Sequence, residues 1–392
     1  MSNSGTFEFL REWRRGFPVE FEGAGAIPYD WDAERANALK QLASIIGRER
    51  AEKAVATFAA QLGELRNEVP APERTAPFYW LLARNAILAM TALSELGERI
   101  DEVPIVDSFP TVATNAITIK PERIDRFFVL FPHGIKLFSS LVMDVVLAGA
   151  DELPRKATDF AGVPDYFLIH EALSARTDLI ERFQQIIVVY LRDAGPYALN
   201  PFGPAPRDPF HAGRLKAGAD LFLLAHEFAH IARNHFAPHE PPHSGVVILT
   251  RHGKIELPSH VRIKWDDELE ADARALDAIA HLSKQVNANE SDFFCGAYLL
   301  LACLQALRRG ICLLARGAVQ EARSPTHPPF DTRLECLRIL GEQRLSAATV
   351  RQAQVLEYVS KFLFDQLSRK LLVAHMSGLR PAKQWSIDAI CE

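Results

Sequence analysis

The chain has 392 residues, of which 48% are hydrophobic and 24% charged, so it is long enough to bury one large core or two smaller ones. Its formal net charge of −5, with no long block of lysine and arginine, argues against nucleic acid as a partner. The five cysteines are odd in number and form no CxxC pair, which favours reduced thiols over disulfides or a thiolate zinc site.

The N-terminal third is predicted to be helical. Its first residues, MSNSGTFEFLREWRRGF, have no apolar core of signal-peptide type, so together with the cysteines they predict a cytoplasmic protein. Residues 32–67 are rich in Ala, Leu, Glu and Arg, and residues 76–98 follow the breaker-rich VPAPERTAP, which predicts a helical hairpin. Pro, Thr and Val accumulate over residues 103–121, where NAITIKP predicts a short strand. We therefore expect a helical N-terminal region over residues 1–110 and a second domain over residues 111–392.

Two apolar stretches in the rest of the chain are candidate membrane spans. The stretch from Phe127, FFVLFPHGIKLFSSLVMDVVLAGA, is interrupted by Pro, His, Gly, Lys and Asp. The stretch from Phe293, FFCGAYLLLACLQAL, ends at an Arg pair. Both fall short of about 18 uninterrupted apolar residues, so we expect core elements and no transmembrane segment. Peripheral membrane contact stays open.

The second half of the chain is predicted to form helices separated by loops and one hairpin. We expect a helix over residues 175–192, followed by a loop with five prolines, PYALNPFGPAPRDPF. GVVILTRHGKIELP predicts a β-hairpin, and helices are expected over residues 266–288 and 353–375. The predicted fold class is α+β, predominantly helical.

The stretch LFLLAHEFAHIARNH, residues 221–235, places polar side chains within an apolar helical run. Polar groups removed from water cost free energy unless they are paired, so these side chains need partners or a surface position. His226 and His230 are four residues apart, which places both imidazoles on one helix face, where they can bind one zinc ion at about 2.0–2.1 Å. Glu227 is turned by about 100° and can accept a proton from a water molecule held by the metal.

A catalytic zinc site needs a third protein ligand, and WDDELEADARALDAIA offers candidates. Glu268 and Asp272 are four residues apart and share a helix face, whereas Glu270 is turned by about 200° from Glu268. We expect Glu268 to bind the metal and Asp272 to hydrogen-bond the outer nitrogen of a ligating histidine, fixing its tautomer. Two alternatives stay open: Glu270 as the ligand, or an acidic first turn that only complements the helix dipole.

HEFAH followed by ELEAD resembles the gluzincin metallopeptidases, in particular the HtpX-like and CAAX-processing group, whose pattern is HExxH with a downstream ExxxD. The resemblance implies that Glu268 is the third zinc ligand and that Asp272 matches the family's aspartate. These families often carry a later His-Pro pair followed by an arginine near the active site. PTHPPFDTRLECL supplies His327, Pro328 and Arg333 at that place.

The resemblance extends over roughly residues 218–340 and implies a zincin-like metallopeptidase domain, a zinc cofactor and a protein or peptide substrate. Members of the group usually embed transmembrane helices around the metal site. No convincing span is found in this sequence, so a soluble relative is expected.

The sequence also predicts roles for three residues outside the HEFAH and ELEAD motifs. His327 is either a donor to the oxyanion formed when a peptide carbonyl is attacked, or a turn residue before Pro328. Arg333 is expected to be a structural ion-pair partner. His235 would lie about 140° from the ligand face of a continuous helix, which predicts a helix-end residue that compensates the helix dipole.

The sequence thus predicts a zinc-dependent endopeptidase with one zinc ion per chain, metal ligands His226, His230 and Glu268, and catalytic residues Glu227 and His327. An extended substrate would pair with an edge strand above the metal, and FFVLF or IKLFSS is the expected strand. The alternative is a non-catalytic zinc-containing regulator or scaffold that binds a protein partner. An open fourth coordination position favours chemistry, whereas a fourth protein ligand favours a structural site.

Overall fold

The computed structural model describes residues 30–68, 76–109, 116–120, 126–154, 165–193, 205–236, 246–250, 253–257, 265–286, 289–319 and 327–381. These residues form eleven helices and five strands. The helices are α1 Trp31–Ile46, α2 Arg48–Glu68, α3 Ala76–Glu95, α4 His133–Ala150, α5 Tyr166–Ser174, α6 Thr177–Asp193, α7 Pro209–Ala232, α8 Trp265–Gln285, α9 Glu290–Arg316, α10 Phe330–Arg344 and α11 Ala347–Met376. The strands are β1 Ile105–Phe109, β2 Ile117–Ile119, β3 Phe128–Pro132, β4 Val246–Thr250 and β5 Gly253–Leu257. The fold is α+β and predominantly helical, as predicted.

The N-terminal helices agree with the sequence pattern except at one break. The segment predicted over residues 32–67 is divided into α1 and α2 by Gly47, whose φ of 84° lies in the left-handed region that glycine adopts without steric cost. Asp30 starts α1 because its side chain accepts a hydrogen bond from the backbone N–H of Ala33 at 2.9 Å. Helix α3 follows and packs against α7 and α8.

The first sheet has the strand order β1-β3-β2, with β3 parallel to β1 and antiparallel to β2. The prediction that FFVLF or IKLFSS forms the edge strand is wrong. FFVLF lies largely in β3, whose five residues are all buried between two neighbouring strands, and IKLFSS lies in α4. A central strand and an edge strand can have the same apolar sequence, so the sequence pattern alone could not show which position this strand occupies. Among the described strands of this sheet, β2 is at an edge and contacts α7.

The sheet also bears on the domain organisation. Strand β1 lies before residue 110, the predicted end of the N-terminal region, and pairs with β3 beyond it. One cluster of buried hydrophobic side chains includes residues from both sides of this position.

The hairpin predicted from GVVILTRHGKIELP is formed by β4 and β5, which pair antiparallel.

Helix α9 lies at the centre of the helical part and packs against α7, α8, α10 and α11. By length and composition it is the one helix in the described ranges that could cross a membrane, but 89% of its most apolar window is buried inside the protein. The core helix of a globular protein has the same properties. The packing of α9 on α7 is close because Gly296 faces the backbone: a Cβ atom there would lie 2.0 Å from the carbonyl oxygen of Leu215.

Candidate metal centre

Helix α7 carries the HEFAH sequence in its last two turns, and these turns are buried. The helix starts at Asp208, whose side chain accepts hydrogen bonds from the backbone N–H groups of Phe210 and His211. From Leu221 to His230 every residue is buried, because α3, α8, α9 and β2 all pack against this helix. Polar side chains in this position are removed from water and therefore need partners within the protein.

The partners of the α7 histidines come from α8. In the described part of the chain, His226, His230 and Glu268 form the one group of histidine, cysteine and carboxylate side chains whose ligand atoms lie within 4.8 Å of one another. The two Nε2 atoms of the histidines are 3.1 Å apart. The Nε2 atom of His226 is 3.5 Å from Oε2 of Glu268, and the Nε2 atom of His230 is 3.5 Å from Oε1. Both imidazoles therefore point the same nitrogen at one carboxylate.

These spacings fit a metal ion. Ligands about 2.0–2.1 Å from a tetrahedral zinc ion lie about 3.3 Å from one another, which is close to the separations of the Nε2 and carboxylate oxygen atoms. The Oε2 atom of Glu268 is buried and receives no hydrogen bond. A buried carboxylate oxygen without a donor is costly, and a cation between the three side chains would satisfy it. Two imidazoles and a carboxylate are also a ligand set that zinc uses in hydrolytic enzymes.

Asp272, one turn after Glu268 on α8, lies behind His226. Its Oδ1 atom is 2.9 Å from Nδ1 of His226, the nitrogen on the far side of the ring from Glu268. Arg333 of α10 donates two hydrogen bonds to the same carboxylate, from Nε to Oδ2 at 2.8 Å and from Nη2 to Oδ1 at 2.7 Å. Asp272 is fully buried and Arg333 is 7% exposed. This bidentate pair joins α10 to α8 and fixes the carboxylate that faces His226.

The electrostatics of the cluster favour positive charge between the ligands. Burial opposes ionisation of Glu268 and Asp272, but neighbouring cationic groups, Arg333 and His226 among them, outweigh it and lower the pKa of both carboxyls. Burial also opposes the charged form of His226, but Asp272 and Glu268 outweigh it and raise its pKa. For His230 burial dominates, and its pKa is lowered well below the usual value. A neutral His230 retains the lone pair that a metal ligand needs.

Glu227 is held by a residue from the sheet. Thr118 of β2 donates a hydrogen bond from Oγ1 to Oε2 of Glu227 at 2.6 Å, although 109 residues separate the two in sequence. Both side chains are buried, at 6% and 7% exposure. Burial raises the pKa of the Glu227 carboxyl. Sequence reasoning missed Thr118, because no local pattern links a three-residue strand to the HEFAH helix.

The structure places His235 differently from the sequence prediction. A helix-end residue turned away from the ligand face was expected, but His235 is 6% exposed, and its Nδ1 atom lies 2.8 Å from Nδ1 of His230. The prediction assumed a continuous helix, whereas α7 ends at Ala232 and the chain turns at Asn234, whose φ is 55°. Asparagine tolerates this left-handed conformation better than most residues, so Asn234 was the signal of a helix end. His235 therefore contacts the outer nitrogen of His230 and is outside the three-residue ligand group.

The remaining predicted residues lie at the edge of the cluster. Nε2 of His327 is 3.4 Å from Oε1 of Glu268, and its side chain is 44% exposed. Glu270, the alternative third ligand, points to Arg233 and to His235 instead, at 3.4 Å from each. Arg333 is the ion-pair partner that the sequence led us to expect, with Asp272 as its partner.

Comparisons of the chain with known protein families, with curated proteins and with solved structures find no match.

Proposed function

We propose that the protein is a zinc-dependent endopeptidase of the gluzincin type, with one zinc ion per chain bound by His226, His230 and Glu268. The observation that carries the proposal is the convergence of these three buried side chains from α7 and α8, with facing ligand atoms 3.1–3.5 Å apart. A zinc ion held there would supply Lewis-acid chemistry, which makes water nucleophilic near neutral pH.

The protein's own residues have separable roles in this proposal. Glu227 lies next to His226 on α7 and accepts the proton of the attacking water, while Thr118 holds its Oε2 atom in place. Asp272 fixes the ring of His226 through Nδ1, so that Nε2 faces Glu268. His327, near Glu268 and partly exposed, is in a position to donate to an oxyanion that develops on the substrate.

The edge strand β2 supports a peptide as the substrate. Its residue Thr118 contacts the proposed base, so a substrate strand that pairs with the outer edge of β2 would run close to Glu227. Backbone pairing of this kind holds an extended peptide and recognises it largely through its main chain. The expected products are therefore peptides. We propose that the domain around this site has a zincin-like fold.

The test compares the wild type with Glu227→Gln. The glutamine can still accept the hydrogen bond from Thr118 but cannot accept a proton, so we expect full zinc content and at least about a hundredfold loss of cleavage. Zinc-loaded proteins are incubated with a cytosolic extract, and newly formed peptide N-termini are compared. Glu342→Gln, a change at a half-exposed position of α10, is the matched control and should cleave like the wild type.

The outcomes separate the proposal from the alternative regulator or scaffold. Undiminished cleavage by Glu227→Gln rules out the assigned base. Zinc binding by the wild type with no new N-termini in any extract, together with a fourth protein ligand on the metal, supports the non-catalytic alternative. Elemental analysis of His226→Ala should show loss of zinc, and retained stoichiometric zinc would contradict the ligand assignment.

A further inference from the structure

His235 occupies the outer side of His230, opposite the proposed metal. The two rings are in contact, with centroids 5.0 Å apart and an interplanar angle of 69°, and the Nδ1 atoms are 2.8 Å apart. This distance is that of a hydrogen bond between one protonated and one unprotonated nitrogen. The imidazole of His235 is buried at 6% exposure, so the contact is shielded from water.

The end of α7 places His235 there by a turn of defined geometry. Arg233 caps the helix, Asn234 takes the left-handed conformation, and two backbone hydrogen bonds close the turn. The N–H of Asn234 donates to the carbonyl of Ile231 at 3.1 Å, and the N–H of His235 donates to the carbonyl of His230 at 3.0 Å. This is the Schellman arrangement, which brings the second residue after the cap back over the last helical turn. The backbone therefore fixes His235 to the same residue that its side chain contacts.

The direction of the hydrogen bond follows from the proposed role of His230. A histidine that binds a metal through Nε2 carries its proton on Nδ1, so Nδ1 of His230 is the donor and Nδ1 of His235 is the acceptor. The proton of a neutral His235 then lies on Nε2. That atom faces two carboxylates of α8, Oε2 of Glu270 at 3.4 Å and Oδ1 of Asp267 at 3.9 Å. The acids are thus on the side where a donor is required.

We propose that His235 is a positioning residue that holds His230 in the tautomer and ring orientation needed for metal binding, an inference that rests on the proposed zinc site. The two histidine ligands are then supported by different groups. Asp272 and Arg333 support His226, whereas a second histidine backed by the acidic start of α8 supports His230. Groups behind a metal ligand typically change metal affinity by about ten- to a hundredfold.

The test measures zinc affinity by competition with a chromophoric chelator and does not require a substrate. His235→Phe keeps an aromatic ring on His230 and removes the acceptor, so zinc should bind about ten- to a hundredfold more weakly than to the wild type. His235→Asn places an amide oxygen near the position of Nδ1 and should restore most of the affinity. Circular dichroism and the thermal unfolding midpoint, both measured with excess chelator, show whether each variant folds.

The results distinguish this inference from the proposed function. Equal zinc affinity in the wild type and His235→Phe overturns the role of His235, as does an Asn variant as weak as the Phe variant. If His235→Phe does not fold, His235→Ala replaces it in the same comparison with Asn. A wild type that does not bind zinc overturns both proposals, whereas zinc binding without peptidase activity overturns the proposed function and leaves the role of His235 to the affinity comparison.

Discussion

Replacing Arg333 by methionine should destabilise the protein strongly, because it leaves a buried carboxylate without its main partner. Arg333 donates two hydrogen bonds to Asp272, which is fully buried, and the Nη1 atom of Arg333 is 3.8 Å from Oε2 of Glu268. Removing one member of a buried ion pair costs about 3–5 kcal/mol. His226 also lies 2.9 Å from Asp272 and compensates part of its charge, so we expect the free energy of unfolding to fall by about 3 kcal/mol.

The magnitude can be separated from simple loss of packing by a double-mutant cycle. Asp272→Asn alone leaves the guanidinium of Arg333 buried without its two hydrogen bonds to a carboxylate and with Glu268 at 3.8 Å, and should also be destabilising. The double variant contains neither charge, so its loss should be smaller than the sum of the two single losses, by about 1–3 kcal/mol. Arg333→Lys retains the charge but cannot form both hydrogen bonds, and should fall between the wild type and Arg333→Met.

Urea unfolding in excess chelator gives these free energies, and unchanged slopes against urea concentration show that the variants can be compared. Arg338→Met is the matched control, because Arg338 lies on the same helix and pairs with Glu335 and Glu342, which are about half exposed. A pair of this kind contributes about 0–1 kcal/mol. If Arg333→Met costs no more than Arg338→Met, or if the cycle is additive, the ion pair does not stabilise α10 against α8 as argued.

Two further predictions concern the sheet edge and the contact of α7 with α9. Thr118→Val should lower kcat for a cleaved peptide roughly ten- to a hundredfold and leave the zinc affinity unchanged, because the hydrogen bond to Glu227 is lost. Thr118→Ser keeps the hydroxyl and should restore kcat. If kcat of the Val variant equals that of the wild type, Thr118 does not position Glu227. Gly296→Ala should cost about 3 kcal/mol in urea unfolding, because its Cβ would lie 2.0 Å from the carbonyl oxygen of Leu215. Gly213→Ala, with nothing within 4 Å of the added Cβ, should instead stabilise α7 by about 0.5–1 kcal/mol, and similar losses at both glycines would refute the close approach.

The parts of the site that local periodicity determines could be predicted from the sequence. A helix repeats every 3.6 residues, so the four-residue spacings of His226 with His230 and of Glu268 with Asp272 place each pair on one face before any tertiary structure is known. The ligand atoms do lie together in the structure. Helix α8 also extends over nearly the range that its pattern indicated.

The contacts that depend on tertiary packing could not be predicted in this way. Thr118 reaches Glu227 across 109 residues, and Arg333 reaches Asp272 across 61. Neither separation leaves a local pattern. The strand order failed for a related reason, since the apolar sequence of β3 is compatible with a centre or an edge. Asn234 was different, because an asparagine near the end of a helical pattern is a stop signal that the sequence did contain.

The charge balance at the end of α7 links the proposed metal to the stability of the fold. Glu227, Glu268 and Asp272 are buried carboxylates, and the buried guanidinium of Arg333 pairs with Asp272 and lies 3.8 Å from Glu268. Without a metal ion, His226, whose pKa is raised, carries the second positive charge that balances Glu268 and Asp272, whose pKa values are lowered. A divalent cation bound between the histidines and Glu268 would replace this imidazole proton and would contact the Oε2 atom of Glu268, which accepts no hydrogen bond. If zinc binds as proposed, its binding free energy therefore adds to the free energy of folding, and the polar residues that weaken an apolar core become stabilising.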